Sequence, residues 1–251
     1  MYLPLHYEAS KTYFLKIGVT KLCYFTISLP LLAFLSCLWL TLYKDFENAN
    51  NTHCKVPNLL PSISASIGNY EPQITIWKTC IYVHTPFRFI IIYMRWRYYT
   101  EVISKDLKVI NLAVFLNVVE NVSLLGLTYW TSSQYYPYHE VCFETFIGAS
   151  LIYMFFTCLM LSKYRRNHNK TKLEKYSLNV KWKAFFLNVL SFASAAFFFV
   201  RHNTQCEPYV YSMFGFSEYL GVISNISFHL TTIYDIQVQY VYFSIYGIYF
   251  K

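Results

Sequence analysis

The sequence predicts an all-α protein: one polytopic bundle of about six membrane-spanning helices, with both termini in the cytosol. Three observations carry that reading. The 251 residues are 55% apolar and only 14% charged, whereas a soluble domain carries roughly a quarter charged residues. Aromatic residues make up 21%, 25 Tyr and 22 Phe among them, which suits a surface that meets lipid tails and headgroups. Apolar runs of membrane-crossing length recur along the chain. With 7 Gly and 8 Pro, collagen-like and low-complexity architectures are excluded. The length accommodates one such bundle and no large additional domain.

Taken in order, the clearest span is 22–43, free of charged residues and about 33 Å long at 1.5 Å per residue. Pro30 lies inside it and frees a backbone carbonyl that a neighbouring group must satisfy. A basic flank (Lys11, Lys16, Lys21) and no small-residue cleavage site mark the run as a signal anchor rather than a cleaved peptide. Further runs lie near 75–94, 109–130, 141–162, 182–200 and 209–234. The run at 75–94 is the weakest, because Lys78, His84 and Arg88 interrupt it; read as re-entrant, it would reduce the count to five.

Six spans distribute charge asymmetrically. Sixteen of the 21 Lys and Arg fall on the N-terminus, 95–108, 163–183 and the C-terminus, and the positive-inside rule places that side in the cytosol. The net charge of +8 is thus topological. KYRRNHNKTKLEKY (163–176) reads as a cytosolic loop near anionic lipid. No stacking platform accompanies it, and no nucleic-acid partner is expected.

The lumenal side then holds 44–74, 131–140 and 201–208. The first is long, rich in Pro, Asn and Ser, and loops of this length are often functional. It carries a glycosylation sequon at Asn50-Asn51-Thr52. Of seven cysteines, Cys54 and Cys206 fall in lumenal loops, and Cys80 and Cys142 lie near lumenal helix ends. Cys54–Cys206 is the preferred bridge, although four cysteines admit three full pairings.

Ionisable residues inside spans are costly and mark function by default. Counted from the lumenal ends, His84, Glu120 and Glu218 lie at one depth, roughly 13–15 Å down at 1.5 Å per residue. Asn117 and Asn121 share a polar face with Glu120; Arg88 lies four residues below His84, and Asn225 seven below Glu218. His53, His139, Glu140, Glu144, Arg201 and His202 lie nearer the lumen. One reading has Arg88 paired with Glu120 or Glu218, as polar glue between helices. The other is a polar cavity that admits a lipid headgroup. In it His84 or His202 is the general base, Glu120 or Glu218 orients it, and Arg88, Asn117, Asn121, His53, His139 and Arg201 bind substrate or oxyanion. No recognised metal-ligand spacing occurs, and no metal or bound cofactor is expected. G-x-S-x-G, P-loop and G-x-G-x-x-G motifs are missing from the sequence. His229 and Asp235 read as structural, near the cytosolic face.

The residues THCKVPNLLPSISASIG (52–68), TPFRF (85–89), LNVVEN (116–121), His139-Glu140 and RHNTQCE (201–207), followed by Glu218-Tyr219, Asn225, His229 and Asp235, occur in an order that closely resembles the post-GPI-attachment-to-proteins factor 2 family. The N-terminal region of a fungal GPI-lipid remodelling protein is similar, and the damage-regulated autophagy modulators are more distant kin. The resemblance spans nearly the whole chain. It implies a Golgi or endoplasmic reticulum membrane protein that acts in GPI-anchor lipid remodelling, returning a saturated chain to the sn-2 position of lyso-GPI. It implies either an acyltransferase, using acyl-CoA or a phospholipid as donor, or a non-catalytic subunit that presents lyso-GPI to other remodelling enzymes. Its implied partners are lyso-GPI-anchored proteins and membrane lipid. The tail at 238–251 is apolar and aromatic where the family resemblance implies a polar one, and is expected at the membrane interface.

Overall fold

A computed structural model describes residues 13–68, 70–104, 106–167, 169–236, 240–244 and 247–250. In chain order these form β1 (Tyr13–Gly18), α1 (Val19–Lys44), α2 (Phe46–Asn50), α3 (Ile63–Gly68), α4 (Gln73–Val102), α5 (Leu107–Tyr129), α6 (Tyr136–Lys163), α7 (Lys172–Gln205), α8 (Val210–Leu230), α9 (Thr232–Asp235), β2 (Tyr240–Ser244) and β3 (Gly247–Phe250). The six long helices close a ring, each packing on the next: α1 on α4, α4 on α5, and so on to α8, which returns to α1. The short α3 lies across one end of the ring and touches α1, α4 and α8.

Four of these helices, α1, α5, α6 and α7, are long and apolar enough to cross a membrane. The run at 75–94 forms the middle of α4, a continuous 30-residue helix with Pro86 inside it. Helices α4 and α8 read as less apolar because their polar residues turn inward. His84, Arg88 and Arg95 on α4, and Glu218, Asn225 and His229 on α8, are all buried, while Tyr82, Val83, Phe89 and Tyr93, and Met213, Phe216 and Ile223, face out. A hydropathy average over a helix cannot distinguish these faces.

The helices agree with the all-α expectation, and a small sheet is added to them. β1, β2 and β3 form an antiparallel sheet in that order, with Lys16 opposite Tyr242, Ile17 opposite Val241 and Gly18 opposite Tyr240. Aromatic and β-branched residues favour a pleated surface, and Val241 is fully buried there. The Lys16 ammonium stands 4.1 Å from the centre of the Tyr240 ring. Within the tail, β2 is thus paired with the segment that precedes α1 and β3 with β2; residues 238, 239, 245, 246 and 251 lie outside the described residues, as does Lys11.

Helix α7 begins at Lys172, ten residues before the expected span, because Thr171 and Glu174 form a reciprocal capping box that satisfies two otherwise orphaned backbone donors. Arg165 pairs with Glu174, and Arg166 donates to the Ile103 carbonyl (3.0 Å), so part of the basic 163–176 segment binds the end of α4. Lys181, counted above with the basic loop, is fully buried.

Pro30 shows how one residue directs the packing. It removes the N–H that would bond the Thr26 carbonyl four residues back. His84 Nδ1 takes that carbonyl at 2.7 Å, which joins α4 to α1. Removing this donor from a buried acceptor costs about 1–3 kcal/mol. His84→Ala is therefore expected to lower the unfolding midpoint in mixed micelles, and the loss should shrink in a Pro30→Leu background, where residue 30 again has an N–H. Additive effects in this double-mutant cycle would show that the His84–Thr26 bond does not carry the cost.

Candidate functional site

The loops 45–72, 130–135 and 206–209 meet at one end of the ring. Cys54 and Cys206 are joined by a disulfide, with Cα atoms 5.2 Å apart, whereas Cys80 and Cys142 are free thiols. Tyr209 N–H donates to the Pro57 carbonyl (2.9 Å), Leu59 N–H to Ser212 Oγ (2.7 Å), and Ser133 Oγ to the Gly68 carbonyl (3.1 Å). Gly215 is required where the loop crosses α8, since a Cβ there would lie 2.6 Å from the Pro61 carbonyl oxygen. The Asn50 side chain of the sequon is buried and its amide donates to the Phe46 carbonyl (2.9 Å), so the folded protein has no room for a glycan there.

Beneath these loops lies a cavity of about 120 Å3, reached by His84, Arg88, Glu120, Asn121, His139, Glu218, Asn225 and His229. Its floor is a chain of buried polar groups. Asn225 Nδ2 donates to Glu120 Oε1 at 2.8 Å and to Ser150 Oγ at 2.7 Å. His229 Nε2 also meets Glu120 Oε1 at 2.8 Å. Arg88 Nη2 and Arg95 Nη1 approach His229 Nδ1 at 2.6 and 3.2 Å, and Arg88 Nη2 donates to Asn117 Oδ1 at 3.1 Å. Guanidinium groups can only donate and a carboxylate can only accept, so His229 carries its proton on Nε2 and passes it toward Glu120. The Tyr153 ring stacks on His229 with centroids 5.7 Å apart.

Two atoms of residues that line the cavity, Glu120 Oε2 and Asn121 Nδ2, are buried without a hydrogen-bond partner, as is Nη2 of Arg95, which does not line it. Each such atom costs free energy unless a ligand satisfies it. Of the two at the cavity, one accepts and one donates, which is the complement of a hydroxyl group. His84 adds a second acceptor, since its Nδ1 proton is committed to Thr26 and Nε2 keeps its lone pair.

A second, larger chamber of about 540 Å3 adjoins the first. Its walls include the apolar Ile147, Ala195, Ala196, Phe199 and Phe214 and the polar Ser62, Ser132, Ser133, Tyr136, Glu140, Glu144 and Tyr211, while Ser64, His139, Phe143, Phe192 and Glu218 are shared with the inner cavity. The aromatic and aliphatic wall residues come from α6, α7 and α8.

The expected site residues thus separate into two groups. His84, Arg88, Glu120, Asn121, His139 and Glu218 surround one cavity, with Asn117 behind Arg88. His53, Arg201 and His202 sit in the loop layer instead. His202 Nε2 lies 3.0 Å from Thr52 Oγ1, its ring packs on Tyr211, and His53 is exposed beside it. Arg201 binds Glu207 through two hydrogen bonds, at 2.6 and 3.0 Å, which hold the Glu207 carboxyl below its usual range. Glu218 orients no histidine; its Oε2 accepts from the Ile63 N–H at 2.9 Å and fixes the start of α3. Arg88 bonds Asn117 and His229 rather than either carboxylate. His229, read above as structural, is the partner of Glu120. Its spacing from Asn225, one helical turn, was the available signal. Among the described residues, His53, Cys54 and Cys206 are the closest grouping of metal-ligand types, but both sulphurs are committed to the disulfide.

The Frag1/DRAM/Sfk1/Cwh43P N-terminal domain model matches residues 18–238. A protein of Drosophila pseudoobscura pseudoobscura named post-GPI attachment to proteins factor 2 is 41% identical over 90% of this chain and 88% of its own. One of Xenopus tropicalis named acyltransferase PGAP2 is 38% identical over 84% of both chains, as is a factor 2 protein of Caenorhabditis elegans. No solved structure matches.

Proposed function

The chain belongs to the Frag1/DRAM/Sfk1/Cwh43P N-terminal-domain family, and from that premise we propose that it is an acyltransferase of GPI-anchor remodelling that returns a saturated chain to the sn-2 hydroxyl of lyso-GPI. In this reading all six long helices span a Golgi or endoplasmic reticulum membrane, and both termini face the cytosol. The observation that carries the proposal is a polar floor beside a chamber walled in part by phenylalanine side chains. The acyl chain lies among Phe143, Phe192, Phe199 and Phe214. The lysolipid hydroxyl donates to Glu120 Oε2 and accepts from Asn121 Nδ2, and Arg88 offers charge to the anchor phosphate.

Glu120→Gln preserves shape and keeps an oxygen for His229 and Asn225, but replaces the free acceptor with a donor. Transfer of a labelled saturated chain to lyso-GPI by purified protein in nanodiscs is expected to fall about 10²–10³-fold, with acyl-CoA and phospholipid donors supplied separately. Wild-type protein that binds lyso-GPI yet transfers no chain from either donor would instead identify a subunit that presents lyso-GPI to another enzyme.

A further inference from the structure

We propose that Ser64 is the nucleophile and His139 its general base, so that the transferred chain passes through an ester on Ser64; this rests on the acyltransferase reading above. Ser64 Oγ lies 2.9 Å from His139 Nε2. His139 Nδ1 lies 2.8 Å from the Trp130 carbonyl oxygen. A carbonyl can only accept, so Nδ1 carries the ring proton and Nε2 presents its lone pair to the Ser64 hydroxyl. A hydroxyl aimed at an unprotonated imidazole that a third group orients is the arrangement that activates a serine.

The position of the pair supports the assignment as strongly as its geometry. Ser64 and His139 stand on the wall common to the inner cavity and the larger chamber, where an acyl carbonyl from one side meets a hydroxyl from the other. His139 is buried while Ser64 is half-buried. The segment that carries Ser64 is held firmly: Tyr219 donates to the Pro61 carbonyl (2.5 Å), Tyr211 to Ser62 Oγ (3.0 Å) and Ile63 N–H to Glu218 (2.9 Å). Such support fixes a nucleophile within the tolerance that catalysis needs.

In the first half-reaction Ser64 Oγ attacks the carbonyl of an acyl thioester or glycerolipid ester, and His139 Nε2 takes the serine proton. The donor's thiol or alcohol leaves and receives that proton. In the second, the lysolipid hydroxyl turns its hydrogen bond from Glu120 to His139 and attacks the Ser64 ester, His139 takes its proton, and Ser64 leaves and is reprotonated. No oxidant, reductant or metal is required.

The test is mass analysis of the Ser64 peptide after incubating the nanodisc protein with labelled stearoyl-CoA or labelled phosphatidylcholine, without lysolipid and quenched in acid. Wild type is expected to carry an acyl adduct on Ser64 from at least one donor, which also identifies the donor, and to release it on addition of lyso-GPI. Ser64→Ala should lose the adduct and drop transfer by about 10³-fold. Ser64→Cys should give an adduct that neutral hydroxylamine cleaves, a readout that a merely structural serine would not supply and that holds if the alanine variant misfolds. Transfer by wild type without an adduct, and persisting in a folded Ser64→Ala protein, would overturn the covalent route while leaving the acyltransferase reading intact. No transfer and no adduct from either donor would overturn both.

Discussion

Lys181→Met is expected to destabilise the bundle by about 3–5 kcal/mol, the cost of leaving a buried charge without its partner. Lys181 Nζ lies 2.7 Å from Asp235 Oδ2 and 2.5 Å from Ser177 Oγ, and Ser177 Oγ donates to Asp235 Oδ1 at 2.7 Å. The two charged side chains are 0% and 4% exposed, so neither solvent nor salt screens the loss. The triad joins α9 to α7 and thereby sets where the chain leaves α8 for the terminal sheet. Methionine keeps most of the lysine's volume and removes the charge with its hydrogen bonds to Ser177 and Asp235. Unfolding by denaturing detergent in mixed micelles measures the effect. The double variant Lys181→Met with Asp235→Leu should recover most of it, because replacing both members of a buried pair by apolar groups is often neutral. A double variant as unstable as the single one would show that packing rather than charge holds this end.

Removing the disulfide with Cys54→Ser and Cys206→Ser is expected to cost about 2–5 kcal/mol. The bond closes a loop of 152 residues, and the entropy withdrawn from the unfolded chain grows with loop length. The loop carrying Ser64 keeps its other attachments to α8, through Ser212, Gly215, Glu218 and Tyr219. The variant should therefore unfold at a lower detergent fraction yet retain acyl transfer at temperatures where it stays folded. An unchanged unfolding midpoint would show that those attachments suffice, and lost transfer in folded protein would show that the disulfide also positions Ser64.

Both variants probe contacts that no local pattern encodes. Lys181 sits in a basic run and reads as one more cytosolic charge; only the approach of Asp235, 54 residues later, makes it an interior residue. Ser64 is one of three serines in PSISAS, with no elbow motif around it. It becomes a candidate nucleophile because α3, lying across the end of the ring, sets it beside His139 of α6, 75 residues on.

What the sequence by itself determined is what accumulates along one helix. Apolar length gave the long helices to within about five residues, except at the end of α4, which runs to Val102, and at the start of α7, which the Thr171–Glu174 cap extends. Residue count from a helix end set His84, Glu120 and Glu218 at one level, because rise per residue is constant, and the three line one cavity. Pro30 announced a carbonyl in need of a donor. What only the tertiary structure decided is which helices are neighbours and which way each polar face turns. Depth says nothing of azimuth, so the pairing of Glu120 with His229, the separation of His202 and Arg201 from the cavity, and the orphaned atoms of Glu120 and Asn121 all wait on packing. The terminal sheet is the extreme case. Its β1 lies more than 200 residues from β2 and pairs with it through backbone groups that every residue has, so no side-chain pattern in either segment names its partner.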